Sequence, residues 1–167
     1  MFARALGLKH PGGPKVEELA GEGKLFIQLP YVVKGMDLSY SGLYTAAIGK
    51  IGHCRIEDLC YSVQEVCFSM LAEVTERALA HTGKREVLLT GGVARNKRLQ
   101  EMIEYISKEH DAEFHVVPPS LAGDNGAMIA WTGILEYASG RIIRVEESRV
   151  KPRWRLDEVT VPWMEES

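Results

Sequence analysis

Residues 86–96, EVLLTGGVARN, carry the pattern best suited to handling a ligand. Val87, Leu88 and Leu89 form a continuous apolar run, the expected signature of a short strand covered on both faces. Gly91 and Gly92 end that run. Lacking β-carbons, they let the backbone turn sharply and leave its N–H groups uncovered. Asn96 stands where a helix N-cap belongs, just before the periodic run 97–109. Strand, glycine turn and helix start together predict a pocket for an anion or a nucleotide at the carboxyl end of a sheet. The same residues also suit a tight βα turn in any α/β protein, so the stretch needs support from elsewhere in the chain.

A second group lies at GDNG, residues 123–126. Asp124 or Asn125 is placed to cap a helix that is apolar nearly all round, with Ala127, Met128, Ile129, Trp131, Ile134 and Leu135. Such a helix is predicted to be buried, with its start near the strand ends. Asp124, Asn96 and the Gly91-Gly92 turn would then line one crevice. Near the amino end, Pro14 suits a helix N1 position. Glu17 and Glu18 then fall in the first turn, where the helix dipole favours negative charge without any ligand. Lys34, Asp37, Ser39, Tyr40 and Ser41 either line a cleft or form a solvated loop.

These groups are positioned by elements that the hydrophobic period predicts. Phe2, Ala5 and Leu6 mark a short helix face, with Gly7 as its C′ residue. Residues 24–29, KLFIQL, read as a strand ended by Pro30. Gly35 and Asp37 mark a turn, and Ser39 or Ser41 is expected to cap a helix carrying Leu43, Ala46, Ala47 and Ile51. The strongest helix covers 57–82. There Leu59, Val63, Val66, Cys67, Met70, Leu71, Val74 and Ala78 recur at spacings of three and four, and Thr82-Gly83 ends it. It reads as a packing helix without chemistry. A helix with Leu99, Met102, Ile103 and Ile106 on one face joins the glycine-turn strand to a second strand at 113–117, EFHVV, also expected to be buried. Strands so joined are parallel. Residues 141–167 hold strand-like runs, IIRV and VTV. They also hold six basic residues between Arg141 and Arg155, suited to a solvated face or to contact with a partner or RNA.

The chain has 167 residues, 46% hydrophobic and 26% charged, an ordinary globular composition. No apolar run approaches the ~20 residues of a membrane span. A net charge of −3 gives no global attraction to nucleic acid. Cys54, Cys60 and Cys67 form no CxxC pair, which points away from a disulfide framework or zinc knuckle and toward a reducing, cytoplasmic compartment. Two parallel strands fall short of the ~5–6 of a typical sheet, so further strands are expected from outside this sequence.

Five segments together carry a resemblance: HPGGPKVEELA, LPYVVKGMDLSYSG, SVQEVCFSMLAEVTERALAH, LLTGGVARNKRLQEM and GDNGAMIAWTG. In this order they resemble the TsaD family, the tRNA threonylcarbamoyltransferases formerly labelled O-sialoglycoprotein endopeptidases, in an archaeal-like form. The family includes the catalytic subunit of the KEOPS complex. The resemblance implies the carboxyl-terminal lobe, with a helical insertion, of an α/β ATPase fold of the actin/Hsp70/sugar-kinase kind. It places that lobe at 1–140, as a helical part (1–83) and a βαβα nucleotide-binding part (84–140), with an extension at 141–167. It implies transfer of a threonylcarbamoyl group from its adenylate to the adenosine 3′ of the anticodon. The resemblance puts Gly13, Glu17 and Asn96 at nucleotide or adenylate positions, beside Gly91 and Gly92, which let the backbone approach the ligand, and Asp124 at a ligand position for one divalent metal, iron or zinc. Implied partners are tRNA and KEOPS subunits, including the small kinase-like subunit.

The family's pair of metal-binding histidines and its phosphate loop have no counterpart here, so the chain is expected to be the carboxyl half of the family's protein. By itself it is expected to be inactive, to hold no metal or nucleotide tightly, and to self-associate through uncovered surfaces. Two alternatives are a metal-dependent glycoprotein endopeptidase, for which no HExxH is present, and a non-catalytic partner-binding module.

Overall fold

A computed structural model describes residues 1–164 and shows a mixed α/β chain of two compact units, Met1–Ala122 and Gly123–Ser167. In the first unit the short helix α1 (Phe2–Ala5) ends before Gly7, whose φ of +73° is the left-handed conformation expected of a C′ glycine. Helix α2 (Gly12–Glu22) follows and rests against α1 so tightly that a β-carbon on Gly12 would lie 2.3 Å from Ala3 Cβ. Because α2 begins at Gly12, Pro14 is its third residue and not its first. Its absent N–H still costs nothing there, since the first four N–H groups of a helix have no partner within it. The expected placement of Glu17 and Glu18 in the first turn is therefore corrected: they lie one turn further along, and no acidic residue occupies the first turn.

Residues 24–29 do not form the expected strand. Their backbone is satisfied by side chains of the long helix α4 (Ile56–Thr82). The carboxylate of Asp58 accepts from the N–H groups of Lys24 (2.8 Å) and Leu25 (3.0 Å), and Ser62 Oγ accepts from that of Ile27 (2.7 Å). An extended segment needs no neighbouring strand when a helix offers acceptors at matching intervals. The two backbone N–H groups hold the Asp58 carboxyl below the usual carboxylate range.

Strands β1 (Val33–Lys34) and β2 (Asp37–Leu38) pair as an antiparallel hairpin turned by Gly35 at φ +61°. Helix α3 (Ser41–Gly49) begins after Tyr40, and neither serine caps it: Ser39 Oγ and Ser41 Oγ lie 3.0 Å apart, bonded to each other. Helix α4 realises the expected periodicity and closes on Gly83 at φ +61°. It serves two cores. Leu59, Val66 and Met70 pack with Leu29, Leu43 and Ala47. Ala72, with Phe68 and Leu71, packs against Leu99, Ile103 and Ile106 of helix α5 (Lys97–Glu109). Cys60 is fully buried, and Cys67 packs against the first core. Burial pushes both thiols up to about 11, so they behave as small apolar residues.

Strand β3 (Glu86–Leu89), α5 and strand β4 (Glu113–Val116) form the expected parallel βαβ unit, in register from Glu86↔Glu113 to Leu89↔Val116. The expectation that both strands are covered on both faces does not hold. Val87, Leu89 and Phe114 pack on the α5 side, whereas Leu88 is 64% exposed and Glu86, Glu113 and His115 share its open face. Covering a sheet takes a layer on each side, and α5 supplies one.

In the second unit, helix α6 (Gly126–Ala138) is capped by Asn125, whose Oδ1 accepts from Met128 N–H at 3.0 Å. Its expected burial is corrected: Ile129 and Trp131 are each more than 60% exposed and no α6 residue is buried. The strand-like runs of the tail are corrected too. Residues 141–144 and 159–161 are irregular, beside single 3-10 turns at Val145–Glu147, Leu156–Glu158 and Pro162–Met164. Among the described residues these β-rich runs have no partner strand against which to form a ladder.

Candidate functional site

At the carboxyl end of β3 the backbone reverses through Gly91, whose φ of 91° and ψ of 171° define a region essentially closed to residues with a β-carbon. Gly92 is not at positive φ. It opens a single 3-10 turn, Gly92–Arg95, and a β-carbon on it would meet nothing within 4 Å. The conformational requirement therefore lies on the first glycine, and Gly92 leaves open space above the turn. Ala94, 1% exposed, wedges the turn inward, and its carbonyl accepts from Gln100 Nε2 at 2.6 Å. The Arg95 guanidinium donates to the Pro119 carbonyl, tying the turn to the segment that leaves β4.

Asn96 caps α5 as expected: its Oδ1 accepts from Leu99 N–H at 3.2 Å. Its Nδ2 donates to Gln64 Oε1 on α4 at 2.9 Å. Glu17 Oε1 accepts from Lys97 N–H at 3.1 Å, across a separation of 80 residues. Two of the free N–H groups at the start of α5 are thus met by side chains, one from the cap and one from α2. The carboxylate also faces the positive end of the α5 dipole, a favourable placement. Gly13 lies four residues before Glu17 on the same face of α2, and a β-carbon there would meet nothing within 4 Å.

This arrangement has a specific chemical preference. A phosphate brought to Lys97 N–H would meet the Glu17 carboxylate, so the start of α5 does not serve as a bare anion site. A hydroxyl suits it better. Glu17 presents a second carboxylate oxygen as acceptor, and Asn96 a second Nδ2 hydrogen as donor.

The long helix, which sequence reasoning left without a role in the site, contributes Gln64 and Glu65. Glu65 grips Arg98 of α5 with two bonds of 2.8 Å, which raises the Arg98 pKa and fixes the two helices together at the site. No local signal marks Gln64, because its partner is set by how α4 crosses α5. A groove of about 300 Å³, lined by Tyr40, Cys67, Phe68, Leu89 and Val93, adjoins the turn. Burial raises the Tyr40 hydroxyl's pKa there.

Asp124 belongs to the second unit, where it is exposed at the residue before the Asn125 cap. Among the described residues, the one trio of candidate metal-ligand side chains with donor atoms within 4.8 Å of one another is Glu86, Glu113 and His115, all exposed. Asp124 is not among them. One carboxylate falls short of the roughly three to four protein ligands of a transition-metal centre, so this chain's residues do not by themselves fit one.

A family model for TsaD, tRNA N6-adenosine threonylcarbamoyltransferase, matches residues 1–131. A tRNA N6-adenosine threonylcarbamoyltransferase of Caldivirga maquilingensis is 54% identical over 165 residues, covering 98% of this chain and 50% of that protein. One from Methanocella arvoryzae is 56% identical over 163 residues, again 50% of its length. A probable bifunctional tRNA threonylcarbamoyladenosine biosynthesis protein of Methanosarcina mazei is 56% identical over 165 residues, 30% of its length. The chain thus spans half or less of the curated relatives it matches. Among solved structures, HypF of T. kodakarensis aligns with a TM-score of 0.59 and 27% identity, covering 79% of this chain and 17% of that one.

Proposed function

The chain belongs to the TsaD family of tRNA N6-adenosine threonylcarbamoyltransferases, and on that premise we propose that it carries the adenylate-holding half of the transferase site. In the reaction, N6 of the adenosine 3′ of the anticodon attacks the carbonyl carbon of threonylcarbamoyl-adenylate. The bond to the phosphate oxygen breaks, AMP leaves, and N6 loses a proton. This chain's residues hold the nucleotide through that exchange. Glu17 and Asn96 take the ribose hydroxyls, Gly91 and Gly92 keep the turn clear of side chains, and Gly13 leaves the ligand side of α2 open. The observation that carries the reading is the convergence of Glu17 and Asn96, 79 residues apart in sequence, on the start of α5.

One lobe of an actin/Hsp70-like ATPase over 1–140, with an extension at 141–167, is part of the same proposal. So is the cofactor assignment. Asp124 would give one ligand to an iron or zinc ion, with the others supplied from outside this sequence. The proposed partners are tRNA and the KEOPS subunits, including the small kinase-like one. The bifunctional biosynthesis relatives support a setting in tRNA modification, and the relatives' names favour the transferase over the endopeptidase. No helix of the described residues is long and apolar enough to cross a membrane.

The test uses the full-length gene product. AMP should bind, 2′,3′-dideoxy-AMP should bind more weakly, and Glu17→Ala should narrow that difference while lowering threonylcarbamoyl transfer to tRNA. Equal affinity for the two nucleotides would refute the hydroxyl assignment.

A further inference from the structure

Gln64 is not among the residues expected at the site, yet it completes the hydrogen bonding of Asn96. The orientation of both amides follows from the backbone. Leu99 N–H can only donate, so the atom of Asn96 that faces it at 3.2 Å must be the oxygen. Nδ2 then points to α4, and the Gln64 atom 2.9 Å away must be the acceptor Oε1. A single bond to Leu99 would leave the Asn96 amide free to swing about its last torsion, which is broad for asparagine. The second bond fixes the amide plane, and with it the direction of the remaining Nδ2 hydrogen. Asn96 is 8% exposed, so the partner matters: a buried amide hydrogen without an acceptor is costly. Gln64 is itself steadied by the neighbouring Glu65–Arg98 pair, which locks α4 to α5 at this level.

We propose that Gln64 is a positioning residue for the nucleotide site: it aims the free Nδ2 hydrogen of Asn96 at the ligand hydroxyl without touching the ligand itself. The proposal rests on the reading of Asn96 as a nucleotide contact.

The experiment measures AMP affinity of the full-length gene product by calorimetry in Gln64→Leu, Gln64→Glu, Asn96→Ala and the Gln64→Leu/Asn96→Ala pair. It also measures exchange of the Asn96 side-chain amide protons by NMR without ligand. Gln64→Leu should weaken AMP binding roughly three- to tenfold, the scale of one misdirected hydrogen bond, and speed the exchange. Gln64→Glu keeps the acceptor and should stay within about twofold of wild type. In the Asn96→Ala background, Gln64→Leu should change nothing further. An unchanged affinity in Gln64→Leu alongside a weakened Asn96→Ala overturns the proposal alone. So does an equal loss from Gln64→Leu in both backgrounds. Unchanged affinity in Asn96→Ala overturns the underlying site reading instead. Should Gln64→Leu fail to fold, Gln64→Glu and the NMR exchange still decide: a strong affinity loss in a folded Gln64→Glu with slow exchange overturns the proposal.

Discussion

Replacing Asn96 separates the structural part of this residue from its ligand part. Asn96→Ala removes the cap on Leu99 N–H and the donor to Gln64. A lost N-cap costs about 1 kcal/mol, and a Gln64 oxygen left without its donor about 1 kcal/mol more. The total of ~2 kcal/mol lowers the melting temperature by about 4–8 °C in a domain of this size. If Nδ2 also donates to a nucleotide hydroxyl, affinity falls by the worth of one neutral hydrogen bond, ~0.5–1.5 kcal/mol, or roughly two- to twelvefold. Asn96→Asp divides these effects. Its carboxylate still accepts from Leu99 N–H at a helix start that favours negative charge, and the Gln64 amide can turn to donate to it. Stability should stay near wild type, while the donor to the ligand is gone and Glu17 gains a like-charged neighbour. Thermal unfolding followed by circular dichroism, with calorimetric titration of AMP well below the transition, measures both. Wild-type affinity in Asn96→Asp would refute the claim that Nδ2 serves the ligand. A melting temperature as low as that of Asn96→Ala would refute the stability reasoning.

The glycine turn predicts an asymmetry: Gly91→Ala should cost about 1–3 kcal/mol, because only glycine adopts that backbone region, whereas Gly92→Ala should stay near wild type in chemical denaturation. Gly23→Ala should destabilise by about 1–3 kcal/mol through overpacking, since its β-carbon would lie 2.4 Å from Tyr61 Cβ and 2.7 Å from the Glu57 carbonyl oxygen; an unchanged denaturation midpoint would contradict the tight crossing of α2 and α4. The Asp58 carboxyl is held below its unfolded value by two backbone N–H groups, so its contribution is present above the unfolded pKa of about 4 and lost as pH falls through the lower folded value. Acid unfolding should accordingly reduce the stability gap between wild type and Asp58→Ala below about pH 4, and a gap that stays constant down to pH 2.5 would dismiss this linkage.

What the sequence determined by itself was local. The period of three and four across 57–82, the apolar face of 97–109 and the turn chemistry at Gly7, Gly35 and Gly83 each depend on neighbours within a turn or two, and each stands in the structure. Asn96 as a cap was legible for the same reason: its partner, Leu99 N–H, is three residues away. The parallel pairing of β3 and β4 followed from one intervening helix, because a short connection leaves few arrangements open. Tertiary packing decided the rest. Residues 24–29 are not a strand because Asp58 and Ser62 of α4, far away in sequence, accept from their N–H groups. The contact of Glu17 with α5 depends on where α2 packs, because its partner Lys97 N–H lies 80 residues away in sequence. Gln64 carried no pattern at all, since its bond to Asn96 exists only because α4 and α5 pack side by side. Contacts between elements depend on crossing and register. Those are fixed by the summed burial of both cores, and no single stretch of residues encodes them.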